Sequence, residues 1–286
     1  PYCPGLEYSG VVVWKGASVA HVAIGQAVIA DPLLTGPRSL GDYQQYGAFA
    51  SYAVAPSEAL LPLPDSLTFD QGCHVLSSYA TAYHCLIHRG RLQPGETVLV
   101  LGASGATGLA AVHIAKLIGA TVIATGRSSD KLAIVESEGA DHIITTRHGA
   151  DGQLLRFRDE VKALSGGDGV DVVYDPLGGD VSLESLRCTR FGARFLVVGW
   201  ASTPFVAKGK GQRGAPRANV LPTNLIMMKG LDVLGCPAAI SAHRDPSLRS
   251  TRRARIFDWV QQGDIRPRVA KAFALSLIGE ALHAKW

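Results

Sequence analysis

No two cysteines of this chain stand in a C-x-x-C pair, and their number, five, is odd: Cys3, Cys73, Cys85, Cys188 and Cys236. That argues against a disulfide framework and for a reducing compartment, with the thiols as buried apolar residues. Charge of one sign is not concentrated either. The formal net charge is +4 and the Lys and Arg residues are scattered rather than striped, so neither nucleic acid nor a membrane surface is expected as a partner. No apolar run approaches the length of a membrane span and no secretory signal opens the chain, which makes the cytoplasm the expected location. Internal repeats are absent. What remains is a globular composition, 47% hydrophobic and 18% charged over 286 residues, enough for one large or two ordinary domains. The chain starts Pro1, Tyr2, Cys3 without Met and stops within a helical pattern at 280–286, so a core lacking both original termini is expected.

The stretch 97–131 organises the rest. Residues 97–101 form a short apolar run of the kind buried on both faces in a parallel sheet, and 109–118 carry apolar residues at helical spacing until Gly119. A second buried strand, 121–125, follows. Between strand and helix stand Gly102, Gly105 and Gly108, with only Ala103, Ser104, Ala106 and Thr107 in the gaps. Small residues let a pyrophosphate approach the backbone, where unpaired amides and the positive end of the helix bind its charge. The flanking strand and helix supply the context this pattern requires.

One further absence selects the nucleotide. Proteins that prefer NAD place Asp or Glu at the end of the second strand to hold the ribose 2′-hydroxyl. Here Gly126, Arg127 and Ser128 follow the strand, with Lys131 one turn on. Two cations without a carboxylate suit a 2′-phosphate, so NADP(H) is the expected cofactor.

Before this unit, residues 1–63 hold short β-branched segments at 8–16, 23–31, 47–56 and 60–65, bounded by Gly, Pro or Asp, which predict an all-β lobe. Helical spacing follows over 68–73 and 75–88. Beyond the unit, helices are expected at 130–137, 159–164 and 182–188, and strands at 141–145, 170–175, 193–199 and 231–235. This alternation predicts a doubly wound parallel sheet, interrupted by a Gly-, Pro- and cation-rich loop at 201–222. A helix at 252–262, an extended segment at 266–273 and a helix at 278–285 need a place outside that sheet.

Taken in order, PGLEYSGVV at 4–12, GAFASYAV at 47–54, TAY at 81–83, PGETVLVLGASGATGLAAVHIAK at 94–116, GVDVVYDPLGG at 169–179 and NLIMMKGLDVLG at 224–235 resemble the zinc-free medium-chain dehydrogenase/reductases of the NADPH quinone oxidoreductase or ζ-crystallin type. The resemblance covers nearly the whole chain. It implies a Rossmann cofactor domain at 83–236 inserted in a mainly β, GroES-like catalytic domain made of 1–82 and 237–286. It also implies a homodimer joined through the strand at 231–235. Thr81 would lie near the nicotinamide, Gly178 and Gly179 on the adenosine side, and Gly199, Trp200, Gly235 and Cys236 beside the nicotinamide ribose. Tyr43, Tyr46 and Tyr52 are candidate acceptor contacts, and no general acid is assigned.

In the zinc alcohol dehydrogenases of similar fold, Leu6 and Ser77 would be a histidine and a cysteine that bind metal, and the four-cysteine structural lobe has no counterpart between Asp31 and Gly47. Leucine and serine cannot replace imidazole and thiolate around zinc. His84 and His88 share a helical face with Cys85 between them, but a third ligand is not in evidence. No metal is therefore expected. The implied chemistry is hydride transfer from NADPH to a quinone or to the β-carbon of an enone or enoyl compound. Two other classes compete with it: an NADPH-binding, crystallin-like protein without turnover, and a zinc-type alcohol dehydrogenase.

Overall fold

The computed structural model describes residues 3–203 and 219–285. The chain divides into two compact units, Pro1–Ala80 with Ala239–Trp286, and Thr81–Ala238. In the first, β1 (Ser9–Val11), β2 (Ala27–Ala30) and β3 (Leu60–Pro62) form an antiparallel sheet in that order. Ile29 lies opposite both Ser9 and Leu61, and it is buried with Val28 and Ala30. The expected strand at 47–56 does not form. Its amides bond locally or to the chain start instead: Ala48 N–H donates to Gly5 O and Phe49 N–H to Pro4 O. With its pairing taken up irregularly, the segment leaves Phe49, Tyr52 and Val54 exposed.

Helix α1 (Phe69–Tyr83) opens with a reciprocal cap, in which Thr68 N–H donates to Gln71 Oε1 and Gln71 N–H to Thr68 Oγ1. It runs on into a π-helical turn, His84–Arg89.

The second unit is the parallel sheet. Its strands are β4 (Thr97–Val100), β5 (Thr121–Gly126), β6 (His142–Thr145), β7 (Val170–Asp175), β8 (Thr189–Val197) and β9 (Asp232–Gly235). Their order is β6-β5-β4-β7-β8-β9, all pairs parallel. Val98, Leu99 and Val100 of the central strand are fully buried. Each such side chain contributes about 1.5–3 kcal/mol. Helices α2 (Ala106–Ile118), α3 (Ser129–Ser137), α4 (Arg158–Leu164), α5 (Gly179–Arg187) and α6 (Thr223–Met228) alternate with the strands. Gly119 ends α2 in the left-handed region, its N–H donating to Ala115 O and Lys116 O. Of the expected loop at 201–222, residues 204–218 lie outside the described residues.

Three more helices follow: α7 (Ala238–Arg244), α8 (Ser247–Gln262) and α9 (Ile278–Lys285). The helix expected at 252–262 begins a turn earlier, and 266–273 joins no sheet. Arg249 and Arg253 of α8 flank the buried Asp31 at 3.6 and 3.7 Å, which holds the helix within the first unit.

The sheet's packing sets one pH dependence. His113 of α2 is largely buried with Nε2 3.1 Å from Glu138 Oε2, and burial lowers its pKa below the usual 6.5 although Glu138 opposes this. A depressed pKa means the folded state binds fewer protons than the unfolded chain. The stabilisation is then complete above pH 6.5 and is lost as pH falls below it. Melting temperature should decline over that acid range, and His113→Gln should flatten the decline; an unchanged profile would show that His113 does not set it.

Candidate functional site

In an open α/β sheet, ligands bind outside the carboxyl ends of the strands where the order reverses. Here that point lies between β4 and β7, and the glycine loop occupies it. Gly102 leaves β4 with φ +59, a conformation L side chains rarely adopt. A Cβ on Gly108 would lie 2.5 Å from Gly102 O and 2.8 Å from Ala103 Cα, so only hydrogen permits this approach of α2 to the strand end. Gly105 is the N-cap, and no side chain caps the helix. Leu109 N–H donates to Gly105 O at 2.8 Å as the first helical bond, which leaves the amides of Ala106, Thr107 and Gly108 ahead of the ladder. Ser104, Gly105 and Ala106 are exposed. A pyrophosphate fits this cradle chemically: open amides, the positive end of a helix and no side chain in the way.

At the end of β5, Gly126 is buried and its carbonyl accepts from Thr146 N–H at 2.8 Å. Ser128 caps α3, its Oγ accepting from Lys131 N–H at 3.3 Å. Arg127 and Lys131 are exposed, and neither has an ion-pair partner among the described residues. They are cations without a carboxylate, placed at the second strand's end.

The other strand ends converge on the same edge. A Cβ on Gly178 would lie 3.4 Å from Trp200 Cα, and one on Gly199 would lie 3.0 Å from Pro176 O. Ser202 Oγ donates to Leu177 O at 2.7 Å, while the Leu177 side chain lies against Gly102. Gly235 ends β9, and Cys236 N–H donates to Val197 O at 3.0 Å. The structure thus gathers the loops that carry Gly102–Gly108, Gly126–Lys131, Gly178, Gly199–Trp200 and Gly235–Cys236 on one edge of one unit. Thr81 is half-buried near the end of α1.

Tyr43, Tyr46 and Tyr52 belong to the first unit. The rings of Tyr43 and Tyr46 meet edge to face with centroids 6.3 Å apart, whereas Tyr52 is 79% exposed. Beside Leu6, Glu7 Oε1 accepts from Ser77 N–H at 2.8 Å, and burial raises the pKa of that carboxyl. His84 and His88 stack with ring centroids 5.2 Å apart, and no group of three His, Cys, Asp or Glu suited to a metal occurs among the described residues.

Two residues were not anticipated. Asp175 ends β7 with Oδ1 accepting from Leu177 N–H (2.9 Å) and Gly178 N–H (3.0 Å), and Oδ2 from Ser182 Oγ; burial holds its pKa up. An acid before Pro-Leu-Gly-Gly signals such an Asx turn. Tyr174, fully buried, donates its hydroxyl to Thr107 O at 3.3 Å and so ties β7 to the first turn of α2. Nothing in the sequence marks that bond.

Sheet order and glycine cradle together define a dinucleotide-binding α/β protein of the oxidoreductase kind. The family model for the zinc-binding dehydrogenases matches residues 106–242, and that for the alcohol dehydrogenase GroES-like domain matches 1–65. Quinone oxidoreductase-like protein 2 of Mus musculus is 33% identical over 285 residues, which is 99% of this chain and 73% of the relative. A probable oxidoreductase from Mycobacterium abscessus superposes over 100% of this chain and 77% of its own with a TM-score of 0.77 and 27% identity. A mycobacterial protein, Rv1454c, solved as a complex with NADPH, shares the fold at a TM-score of 0.75 and 24% identity over 98% of this chain and 77% of its own. The chain belongs to the quinone oxidoreductase group of the medium-chain dehydrogenase/reductase family.

Proposed function

We propose that the chain binds NADPH at the carboxyl edge of its parallel sheet and reduces a quinone or an α,β-unsaturated carbonyl compound without a metal. The observation that carries this is the glycine cradle next to two cations, Arg127 and Lys131, that have no ion-pair partner among the described residues, at a strand end that lacks an acid. NADPH supplies the hydride when bound. The chain's own part is to hold the pyrophosphate on the amides of Ala106 to Gly108, to place cations at the 2′-phosphate, and to orient the nicotinamide end with the Gly199–Trp200 and Gly235–Cys236 loops. In this reading residues 83–236 are the cofactor domain, 1–82 and 237–286 are the catalytic domain, and Tyr43, Tyr46 and Tyr52 are its candidate acceptor contacts.

A conjugated acceptor spreads incoming charge over its own π system, whereas oxidising a simple alcohol requires its alkoxide to be stabilised by a metal or a positioned acid. Leu6 and Ser77 offer no zinc ligand. Loss of NADPH absorbance against a panel of quinones, enones, enoyl thioesters and aldehydes tests the reading. Turnover is expected with the first three classes and should survive dialysis against a chelator. No turnover would favour the crystallin-like class, and activity that depends on stoichiometric zinc would favour the alcohol dehydrogenase.

The same reading makes the protein a homodimer. β9 lies at the edge of the sheet, and Phe191 (77%), Met227 (73%) and Met228 (67%) are exposed on neighbouring segments. An unpaired edge flanked by apolar side chains invites pairing across a two-fold axis. Light scattering at micromolar concentration should give twice the chain mass; a monomer would count against this.

A further inference from the structure

We propose that Asp175 and Ser202 are positioning residues of the nucleotide site: together they lock the turn at 176–179, and through it they set the affinity for NADPH and NADH alike. Asp175 closes β7 and is fully buried. Its Oδ1 accepts from the amides of Leu177 and Gly178 at 2.9 and 3.0 Å, and its Oδ2 from the hydroxyl of Ser182 in the first turn of α5. Both oxygens are committed to the chain, so this acid acts through the turn it holds. Ser202 grips the same turn by its carbonyls. Its Oγ lies 2.7 Å from Leu177 O and 2.9 Å from Gly178 O, and its N–H donates to Leu177 O at 2.9 Å.

Three loops of the candidate site meet at this turn. Val198 and Gly199 donate their amides to Asp175 O at 2.8 and 3.2 Å, and Ala201 donates to Pro176 O at 3.1 Å, so the loop after β8 is laid along the loop after β7. Leu177 has its N–H held by Asp175 and its carbonyl by Ser202, and its side chain lies against the glycine cradle: a Cβ on Gly102 would come to 3.0 Å from Leu177 Cδ2. Gly178 and Gly179 have φ of +75 and +68, and a Cβ on Gly179 would lie 3.1 Å from Ser202 Oγ, which is why two glycines stand where the turn meets the hydroxyl. The cradle, the Gly178 turn and the loop of Gly199 and Trp200 therefore share one arrangement. A ligand laid across all three loses affinity when that arrangement slackens.

The pyrophosphate and both riboses are common to NADPH and NADH, whereas only the 2′-phosphate calls on Arg127 and Lys131. Loosening the turn therefore lowers both affinities by the same factor. The far end of β7 supplies a control. Asp171 is also a buried acid, accepting from Thr97 N–H at 2.8 Å and pairing with Arg190 at 2.7 Å, but it stands at the amino end of the strand, away from these loops.

The effect on affinity rests on the proposed function; the lock on the turn does not. The test titrates NADPH and NADH by fluorescence into the unsubstituted protein and five variants, each well below its melting temperature, and follows hydrogen exchange at the Leu177 and Gly178 amides without nucleotide. Asp175→Ala should weaken both nucleotides about tenfold and by the same factor, and Ser202→Ala about threefold. Asp175→Asn, which keeps an oxygen for the two amides, and Ser202→Thr, which keeps the hydroxyl, should stay within about twofold of the unsubstituted protein. Asp171→Ala should lower stability and leave both affinities unchanged. Exchange should be slow in the unsubstituted protein and in Asp175→Asn, and fast in Asp175→Ala. Should Asp175→Ala fail to fold, the two Ser202 variants and the exchange rates of the unsubstituted protein decide. Unchanged affinity in the alanine variants at 175 and 202, a loss confined to NADPH, an equal loss in Asp171→Ala, or fast exchange in the unsubstituted protein overturns the assignment. If the unsubstituted protein binds neither nucleotide, the proposed function fails, while the exchange rates still decide the lock on the turn.

Discussion

Replacing Arg127 and Lys131 together by alanine is expected to weaken NADPH binding by about 10- to 100-fold and to leave NADH binding almost unchanged. Both side chains are exposed, Arg127 directly after β5 and Lys131 in the first turn of α3, on the side where the ribose of a dinucleotide reaches in this sheet order. A hydrogen bond between charged groups is worth about 1.5–3 kcal/mol, and only NADPH carries the 2′-phosphate that makes one here. Since neither cation has an ion-pair partner among the described residues, their removal should disturb little else. Calorimetric titration of both nucleotides into both proteins measures the effect. Equal losses for the two cofactors would place the cations outside the 2′-phosphate site.

Gly108→Ala should have the largest effect of any single methyl group added to the cradle. The new Cβ would meet Gly102 O at 2.5 Å and Ala103 Cα at 2.8 Å, both backbone, so α2 or the end of β4 must move. Overpacking of this kind costs about 1–3 kcal/mol, and here the displaced atoms are the ones that present the amides. Reduced stability in urea and loss of most NADPH affinity are expected together. Gly105→Ala is the comparison, because its Cβ would come only to 3.4 Å from Gly102 O. If Gly108→Ala proved no worse than Gly105→Ala in both measurements, the close approach would not be what the third glycine serves.

The parallel sheet was legible in the sequence because its strands are buried on both faces. Residues 97–101 and 121–125 are apolar apart from their threonines, and 170–175 is interrupted only by Asp171 and Asp175; each is followed by helical spacing closed by a glycine or entered past one. The β lobe was less legible. The run at 47–56 has strand composition, but composition does not reveal that Gly5 and Pro4 take up the amides of Ala48 and Phe49. Helix α7 and the first turn of α8 were missed because 238–250 mixes Ala, Ser, Arg and Pro without an apolar stripe. Of the candidate site, the glycines and cations can be found by spacing. The bond from Tyr174 to Thr107 depends on strand order, β4 beside β7, which spacing along the chain does not carry.

The central claim is hydride transfer from NADPH to the β-carbon of a conjugated acceptor. It is tested most directly with NADPH deuterated at the transferable position of its nicotinamide, incubated with the protein and an enone, the product being read by proton and deuterium NMR. The account predicts a saturated ketone with deuterium on the β-carbon and solvent hydrogen on the α-carbon. Deuterium on the carbonyl carbon of an alcohol product, or retained in the nucleotide after full incubation, would contradict it.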